Sequence, residues 1–150
     1  MNNAWLCEIL LPRGGISLGS QTQARRLKLK EEDTECLILV NWLRAETLEG
    51  RLPFIWHKIP NEFDGRKNPV FGAKMELLGR VKGAPDYVFL SKGMSFYIEM
   101  KSKKGRTSDT QKLFSRWCGD KEVPYFVCKS GMQAIELVKS AITHKGEYNE

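Results

Sequence analysis

Two short apolar segments joined by a brief polar connection most restrict how this chain can fold. The first segment covers Tyr87 to Leu90 and the second covers Phe96 to about Lys101, with Lys92-Gly93 between them. Short runs rich in aromatic and β-branched residues and bounded by turn residues are typical of strands. The spacing therefore predicts a β-hairpin, with an acid, Asp86, at the entrance to its first strand.

The second predicted strand carries an acid and a base two residues apart, Glu99 and Lys101. Successive side chains of a strand point to opposite faces, so these two share one face, about 7 Å apart along it. If the strands pair, Asp86 lies near them, and two carboxylates with one ammonium group form a candidate site for a divalent cation. On a chain with a net charge of +6, this indicates metal-dependent cleavage of a nucleic-acid backbone, although such a charge is equally compatible with solubility alone.

Length and composition limit the class of protein. A chain of 150 residues with 41% hydrophobic and 28% charged residues is expected to form a soluble globular core. No apolar run approaches the roughly 18 residues that cross a membrane, and the N-terminus lacks the pattern of a signal peptide. The four cysteines are widely spaced, which argues against a disulfide framework or a zinc site. We therefore expect a cytoplasmic protein that is not secreted and has no membrane partner.

Helices and strands are predicted to alternate from residue 31 onward, in the order α-β-α-β-β-α-β-α. This order is typical of an α/β fold with a mixed central sheet flanked by helices. Apolar stripes are expected on two of these helices: Ile38, Leu39, Trp42 and Leu43 on the first, and Leu113, Phe114 and Trp117 on the third. The predicted helices are about Glu31–Glu46, Pro69–Leu78, a helix that Thr107 or Ser108 caps and that ends at about Cys118, and Gly131 to about Ile142. The predicted strands are Pro53–Ile59, Asp86–Leu90, Phe96–Lys101 and Pro124–Cys128. Upstream, Trp5–Leu11 is interpreted as a short strand.

This order of elements, together with Gly83-Ala84-Pro85-Asp86, Glu99-Met100-Lys101 and the later Gln111, resembles the PD-(D/E)xK nuclease superfamily. More narrowly, it resembles the VRR-NUC domain, the virus-type replication-repair nuclease. Ile59-Pro60-Asn61-Glu62 and the approach Gly105 to Ser108 also match. A lone Pro-Asp or Glu-x-Lys occurs often by chance, so the resemblance depends on the series. We interpret residues 31–143 as this domain, residues 1–30 as an N-terminal arm and candidate oligomer contact, and residues 144–150 as a loose tail.

The resemblance implies a restriction-endonuclease-like core and a Mg²⁺-dependent endodeoxyribonuclease in which Mn²⁺ can substitute. Asp86, Glu99 and the main-chain carbonyl of Met100 are then the metal ligands, since hard cations prefer oxygen. Lys101 positions the attacking water or stabilises charge in the transition state. Gln111 orients the site.

The superfamily commonly adds an acid from its first helix. Glu35 is the candidate here and Glu32, three residues earlier on the same helical face, is the alternative. Either acid could instead only complement the positive end of the helix dipole. Five basic residues flank the site in sequence and are candidates for DNA phosphate contacts, namely Arg80, Lys82, Lys103, Lys104 and Arg106.

The expected substrate follows by analogy with stand-alone members of the family. They resemble resolvases that cut branched DNA, including four-way (Holliday) junctions, as homodimers, in virus- or bacterium-type intracellular settings. One alternative is a flap or restriction-type nuclease on the same fold. Another is a basic nucleic-acid-binding protein without catalytic activity, whose acids serve folding only.

Overall fold

Helices and strands alternate along the chain, of which the computed structural model describes residues 4–12, 28–61 and 68–147. The predicted α/β class and the predicted order of elements from residue 31 are both confirmed. The helices are α1 (Ala4–Leu10), α2 (Glu31–Leu48), α3 (Pro69–Leu77), α4 (Asp109–Asp120) and α5 (Gly131–Glu147), and the strands are β1 (Ile55–Lys58), β2 (Tyr87–Ser91), β3 (Met94–Met100) and β4 (Tyr125–Cys128).

The four strands lie side by side in chain order, β1-β2-β3-β4. β2 pairs antiparallel with β1 and with β3. β4 runs parallel to β3, because the N–H of Tyr97 bonds to the carbonyl of Pro124 and the N–H of Lys101 bonds to that of Cys128, so both partners advance in the same direction. The sheet is therefore mixed, as predicted.

The chain divides into two compact units. The first comprises Met1–Phe54, Met100–Lys104 and Cys128–Glu150, and the second comprises Ile55–Glu99 and Gly105–Val127. The described helices of the first unit are α1, α2 and α5. The second unit holds most of the sheet together with α3 and α4.

The core of the first unit lies between α2 and α5. Leu39 and Leu43 of α2 are fully buried, as the periodicity predicts, and so is Val138 of α5. Ile38 lies on the same predicted stripe but is 39% exposed, although Gly131 of α5 approaches it closely. A Cβ added to Gly131 would lie 2.7 Å from Cβ of Ile38.

In the second unit, α4 packs on the sheet through one aromatic ring. The Phe114 ring lies 5.6 Å from that of Tyr97 and 6.3 Å from that of Tyr125. The predicted burial of Leu113 and Trp117 is wrong, since their exposed fractions are 65% and 52%. Residues four apart on a helix form one row, so Phe114 and Cys118 face the sheet while Leu113 and Trp117 form a parallel, exposed row.

Both ends of the chain differ from the prediction. Ala4–Leu10 is helical rather than extended, because a short apolar run fits a strand and a helix equally well. α5 continues to Glu147, so the segment from residue 144 interpreted as a loose tail begins as helix. Most of the predicted N-terminal arm, residues 1–3 and 13–27, lies outside the described residues. No helix in the described part of the chain is long and apolar enough to cross a membrane.

All four cysteines carry free thiols, and three of them, Cys36, Cys118 and Cys128, are buried. Burial raises the pKa of Cys128 to about 11 and also raises the pKa of Cys118. Both thiols therefore stay protonated at neutral pH, which is typical of cysteines that serve packing rather than chemistry.

We expect Gly83→Ala to destabilise the protein more than Gly93→Ala. Both glycines have left-handed backbones, with φ of 78° and 81°, so each alanine costs about 1–2 kcal/mol in conformation alone. A Cβ on Gly83 would also overlap the carbonyl of Thr110 and lie 2.7 Å from the main-chain nitrogen of Gln111, whereas one on Gly93 meets nothing within 4 Å. Urea unfolding of both variants measures the difference, and equal losses would show that the contact with α4 carries no stability.

Candidate functional site

Asp86 and Glu99 lie at the same end of the β2–β3 hairpin. The register pairs Tyr87 with Ile98 at the end of the ladder, and Asp86 and Glu99 are the next residues beyond this pair. Asp86 directly precedes β2, and Glu99 still lies in β3. The two residues are only 8% and 2% exposed. The predicted strands therefore pair, and they bring two buried acids to the same end of the hairpin.

The face of the sheet that carries Glu99 is the face covered by α4. Glu99 and Tyr97 are two residues apart on β3, so their side chains project from the same face, and Tyr97 contacts Phe114 of α4. Gln111 and Phe114 are three residues apart and lie on the same side of α4. The Gln111 side chain consequently reaches Glu99, and its Nε2 donates a hydrogen bond to Oε1 of that carboxylate.

The other end of the Gln111 amide is held by the cap of its own helix. The Ser108 hydroxyl accepts from the Gln111 N–H at 3.2 Å, and the Ser108 N–H donates to Gln111 Oε1 at 2.9 Å. This reciprocal capping box occupies the oxygen of the amide, so its NH₂ group is directed at Glu99. Of the two predicted caps, Thr107 and Ser108, the structure has Ser108, and it brings Gln111 into contact with a predicted metal ligand.

Lys58 lies beside Asp86, a neighbour that the sequence did not indicate. Its Nζ is 3.9 Å from Asp86 Oδ1 and 5.4 Å from the centre of the Tyr87 ring, which faces Lys58 in the β1–β2 register. The ammonium group partly compensates the buried carboxylate. In the sequence, only the position of Lys58 near the end of a predicted strand indicated this contact. The sequence does not give the strand order that places Lys58 next to Asp86.

The loop that leads into Asp86 is fixed by the segment after β1. Asn61 Nδ2 donates to the carbonyl of Ala84 and, at 2.8 Å, to that of Pro85. The N–H of Ile59 bonds to the Asp86 carbonyl at 2.7 Å. The main chain on both sides of the Pro-Asp step is therefore held in one position.

Tyr125 of β4 adds a protonated hydroxyl to the surroundings of the two acids. Its oxygen is buried and finds no hydrogen-bond partner among the residues that the structure describes. Burial, and then the negative charges of Glu99 and Asp86, raise the pKa of this phenol well above its usual value. It thus stays a hydrogen-bond donor at every physiological pH. No pattern in the sequence distinguished it from the other aromatic residues.

Other predicted site residues belong to the first unit, where main-chain groups engage both candidate acids of α2. Glu35 Oε2 accepts from the N–H of Gly131 at 2.6 Å, and Glu32 Oε2 accepts from the N–H of Ser102 at 3.1 Å. Lys101 follows β3 directly, and its N–H donates to the carbonyl of Cys128 at 2.9 Å. A metal-binding role for Glu35 or Glu32 stays a prediction.

Asp86 and Glu99 are the two acids that the described part of the chain places at this end of the hairpin. In the described ranges, no group of three or more Asp, Glu, His or Cys side chains is close enough to hold a metal ion. The pair Asp86 and Glu99 suits Mg²⁺, which is commonly bound through one or two carboxylates and keeps several of its waters. A softer metal that needs nitrogen or sulfur ligands does not fit this donor set.

The five basic residues predicted to contact phosphates are divided between the units. Lys103 and Lys104 occupy an exposed turn of the first unit. In the second unit Arg106 is exposed, and Arg80 and Lys82 both lie close to Glu76, at 3.2 and 3.4 Å. Two cations that share one carboxylate leave one positive charge for a ligand.

We expect Glu35→Ala to lower the free energy of unfolding by about 1–2 kcal/mol even without metal, because α5 loses an acceptor at its first N–H. Urea unfolding in chelator measures this change. Glu136→Ala, an exposed acid of α5, is the matched control. An unchanged stability in chelator would contradict the capping role and favour a role for Glu35 as metal ligand.

Comparisons with known proteins identify no family for this chain. No family model, no curated protein and no solved structure matches it. The function must therefore be argued from the side chains that the structure brings together.

Proposed function

We propose that the protein is a metal-dependent endodeoxyribonuclease that hydrolyses phosphodiester bonds in branched DNA, such as four-way junctions, and acts as a homodimer. The observation that carries the proposal is the placement of Asp86 and Glu99, both buried, at the same end of one hairpin. The substrate class is supported by the resemblance to the VRR-NUC domain.

Two adjacent buried carboxylates repel each other and lose hydration, so a fold that keeps both needs compensating positive charge. Lys58, at 3.9 Å from Asp86, provides part of it. A divalent cation would provide more, and a bound Mg²⁺ supplies charge neutralisation of the phosphate and a lowered pKa for water. The main-chain carbonyl of Met100, the residue after Glu99, is the third ligand that we propose.

Each side chain of the proposed site then has a distinct task. Asp86 and Glu99 hold the cation, and Gln111 keeps the Glu99 carboxylate in one orientation through its capped amide. Lys101 positions the attacking water or stabilises negative charge as the phosphodiester bond breaks. An oriented set of charges is effective because it needs little reorganisation during the reaction.

Binding of branched DNA requires positive charge around these acids. We assign phosphate contacts to the exposed turn at Lys103 and Lys104 and to Lys82, Arg80 and Arg106. A homodimer would provide two equivalent sites related by a twofold axis, as paired nicks in a symmetric junction require.

One observation favours a second function, that of a non-catalytic DNA-binding protein. The contact between Lys58 and Asp86 gives this acid a structural partner without any metal. The two proposals differ in their response to Mg²⁺. A nuclease site gains thermal stability from Mg²⁺ through its two acids and cuts DNA, whereas an ion pair that serves folding does neither.

We expect Glu99→Gln to reduce cleavage of a labelled four-way junction by more than about 100-fold, because the variant loses a charged metal ligand while keeping the shape of the side chain. Junction binding in chelator should stay within about threefold of wild type. Gel assays with Mg²⁺, Mn²⁺ or chelator on a junction, a flap and a linear duplex measure both properties.

Glu136→Gln serves as the control for this variant, since Glu136 is an exposed acid paired with Lys139. Cleavage by Glu99→Gln at the wild-type rate would place the active site elsewhere. Binding without cutting by the wild type, under every metal, would overturn the nuclease proposal in favour of the binding protein.

We expect Lys103→Ala combined with Lys104→Ala to weaken junction binding and to flatten its salt dependence. Each lost phosphate contact lowers the slope of log K against log salt by about 0.9 for duplex DNA. Lys74→Ala combined with Lys92→Ala is the charge-matched control. These two lysines are exposed, and Lys92 lies at the opposite end of the hairpin from the acids. Equal slopes for the two double variants would rule out the phosphate contacts.

A further inference from the structure

A groove runs over the surface of the second unit between the loop at residues 80–83 and α4. Two adjoining cavities of about 450 and 220 Å³ form it, since they share several lining residues. The shared residues are Arg80, Val81, Lys82 and Thr110. The larger cavity continues to Leu113, Phe114 and Trp117, and the smaller one continues to Asn61 and Gly83.

The inner end of the groove is lined by residues that hold, or lie next to residues that hold, the surroundings of the two acids. Asn61 lines it and donates to the carbonyls of Ala84 and Pro85, directly ahead of Asp86. Thr110 also lines it and precedes Gln111, which holds Glu99. The groove therefore lies next to residues that hold the main chain ahead of Asp86 and next to the residue that precedes Gln111.

The outer end of the groove presents apolar surface beside positive charge. Trp117, Leu113 and Val81 are 52%, 65% and 45% exposed. Lys82, whose side chain is 66% exposed, lies at the same wall together with Arg80. A planar indole next to cations suits a ligand that offers both a flat aromatic face and a negative charge.

Contacts within the second unit hold both walls of the groove in place. Gly83 packs its α-carbon against the main chain of Thr110 and Gln111, which fixes the loop to the first turn of α4. The capping box of Ser108 and Gln111 holds that turn, and the edge-to-face contact of Trp117 with Phe114, at 5.6 Å between ring centres, holds the indole. A preformed groove spares a ligand the cost of ordering its walls.

We propose that this groove binds an unpaired nucleotide segment of the DNA substrate, with a base stacked on Trp117 and the adjacent phosphate against Lys82. The inference rests on the proposed nuclease function and extends it, because it assigns the enzyme a site for single-stranded DNA next to the cut. Charge complementarity determines the ligand, since among the described residues of the wall the two cations Arg80 and Lys82 outnumber the acid Glu76.

The test measures binding of a fluorescein-labelled oligothymidylate by anisotropy in chelator, where no cutting can occur. Trp117→Ala should weaken binding about 5- to 150-fold, the range expected for loss of one stacked base. Trp5→Ala is the matched control, because Trp5 is 61% exposed and lies on α1 of the other unit. Equal affinities for these two variants would overturn the proposal.

Lys82→Ala provides a second test that leaves the packing of α4 intact, since the Lys82 side chain is largely in solvent. It should lower the salt slope of oligothymidylate binding by about 0.7, the value for one contact to single-stranded DNA. Lys92→Ala, at the exposed hairpin turn, should leave the slope unchanged. Equal slopes would contradict a phosphate contact in the groove.

Two further outcomes separate this inference from the proposed function. Binding of oligothymidylate that depends on Trp117 and Lys82 supports the groove even if no junction is ever cut. Conversely, if Trp117→Ala leaves both junction cutting and oligothymidylate affinity unchanged, the groove proposal is overturned and the proposed nuclease function is not.

A Trp117→Ala variant that changes only the oligomeric state in sedimentation identifies the groove as an interface between copies and overturns the proposal.

Discussion

The hydrogen bond from Gln111 to Glu99 connects α4 to the end of β3. The other features of the candidate site depend on this contact. One amide accepts from the first turn of α4 and donates to the end of β3. The same helix then places Phe114 on the sheet, and its exposed row faces the groove. The same hydrogen bond therefore orients an acid, joins a helix to the sheet and contributes to the shape of a surface groove.

Burial strengthens this hydrogen bond, and it also makes the charged acids unfavourable in free energy. Removing a carboxylate from water costs several kcal/mol unless partners replace the lost hydration. Glu99 receives a neutral donor from Gln111, and Asp86 receives a cation at the limit of an ion pair, 3.9 Å from Lys58. Proteins commonly keep such locally unfavourable arrangements at sites of chemistry, where the energy is recovered on binding. In the nuclease that we propose, a divalent cation would compensate these two acids.

Local patterns predicted most of the fold and only part of the candidate site. Element order, the hairpin and the cap at Ser108 follow from periodicity and turn chemistry, which act over a few residues. Lys58 and Tyr125 were not predicted, because their proximity to the acids depends on which strands are neighbours. Leu113 and Trp117 were misassigned for a different reason. Two adjacent apolar rows on one helix look alike in sequence, and only the position of the sheet decides which of them is covered.

The turn at Lys92 and Gly93 lies at the opposite end of the hairpin from the acids and yet sets which residues of β2 and β3 are neighbours. Ser91 pairs with Met94 across it, and the ladder counts outward from this pair to Tyr87 and Ile98. An inserted residue that shifted the ladder by one position would send Glu99 to the other side of the sheet, away from Gln111. The length of this surface turn therefore determines whether Glu99 reaches Gln111, although the turn lies at the other end of the hairpin.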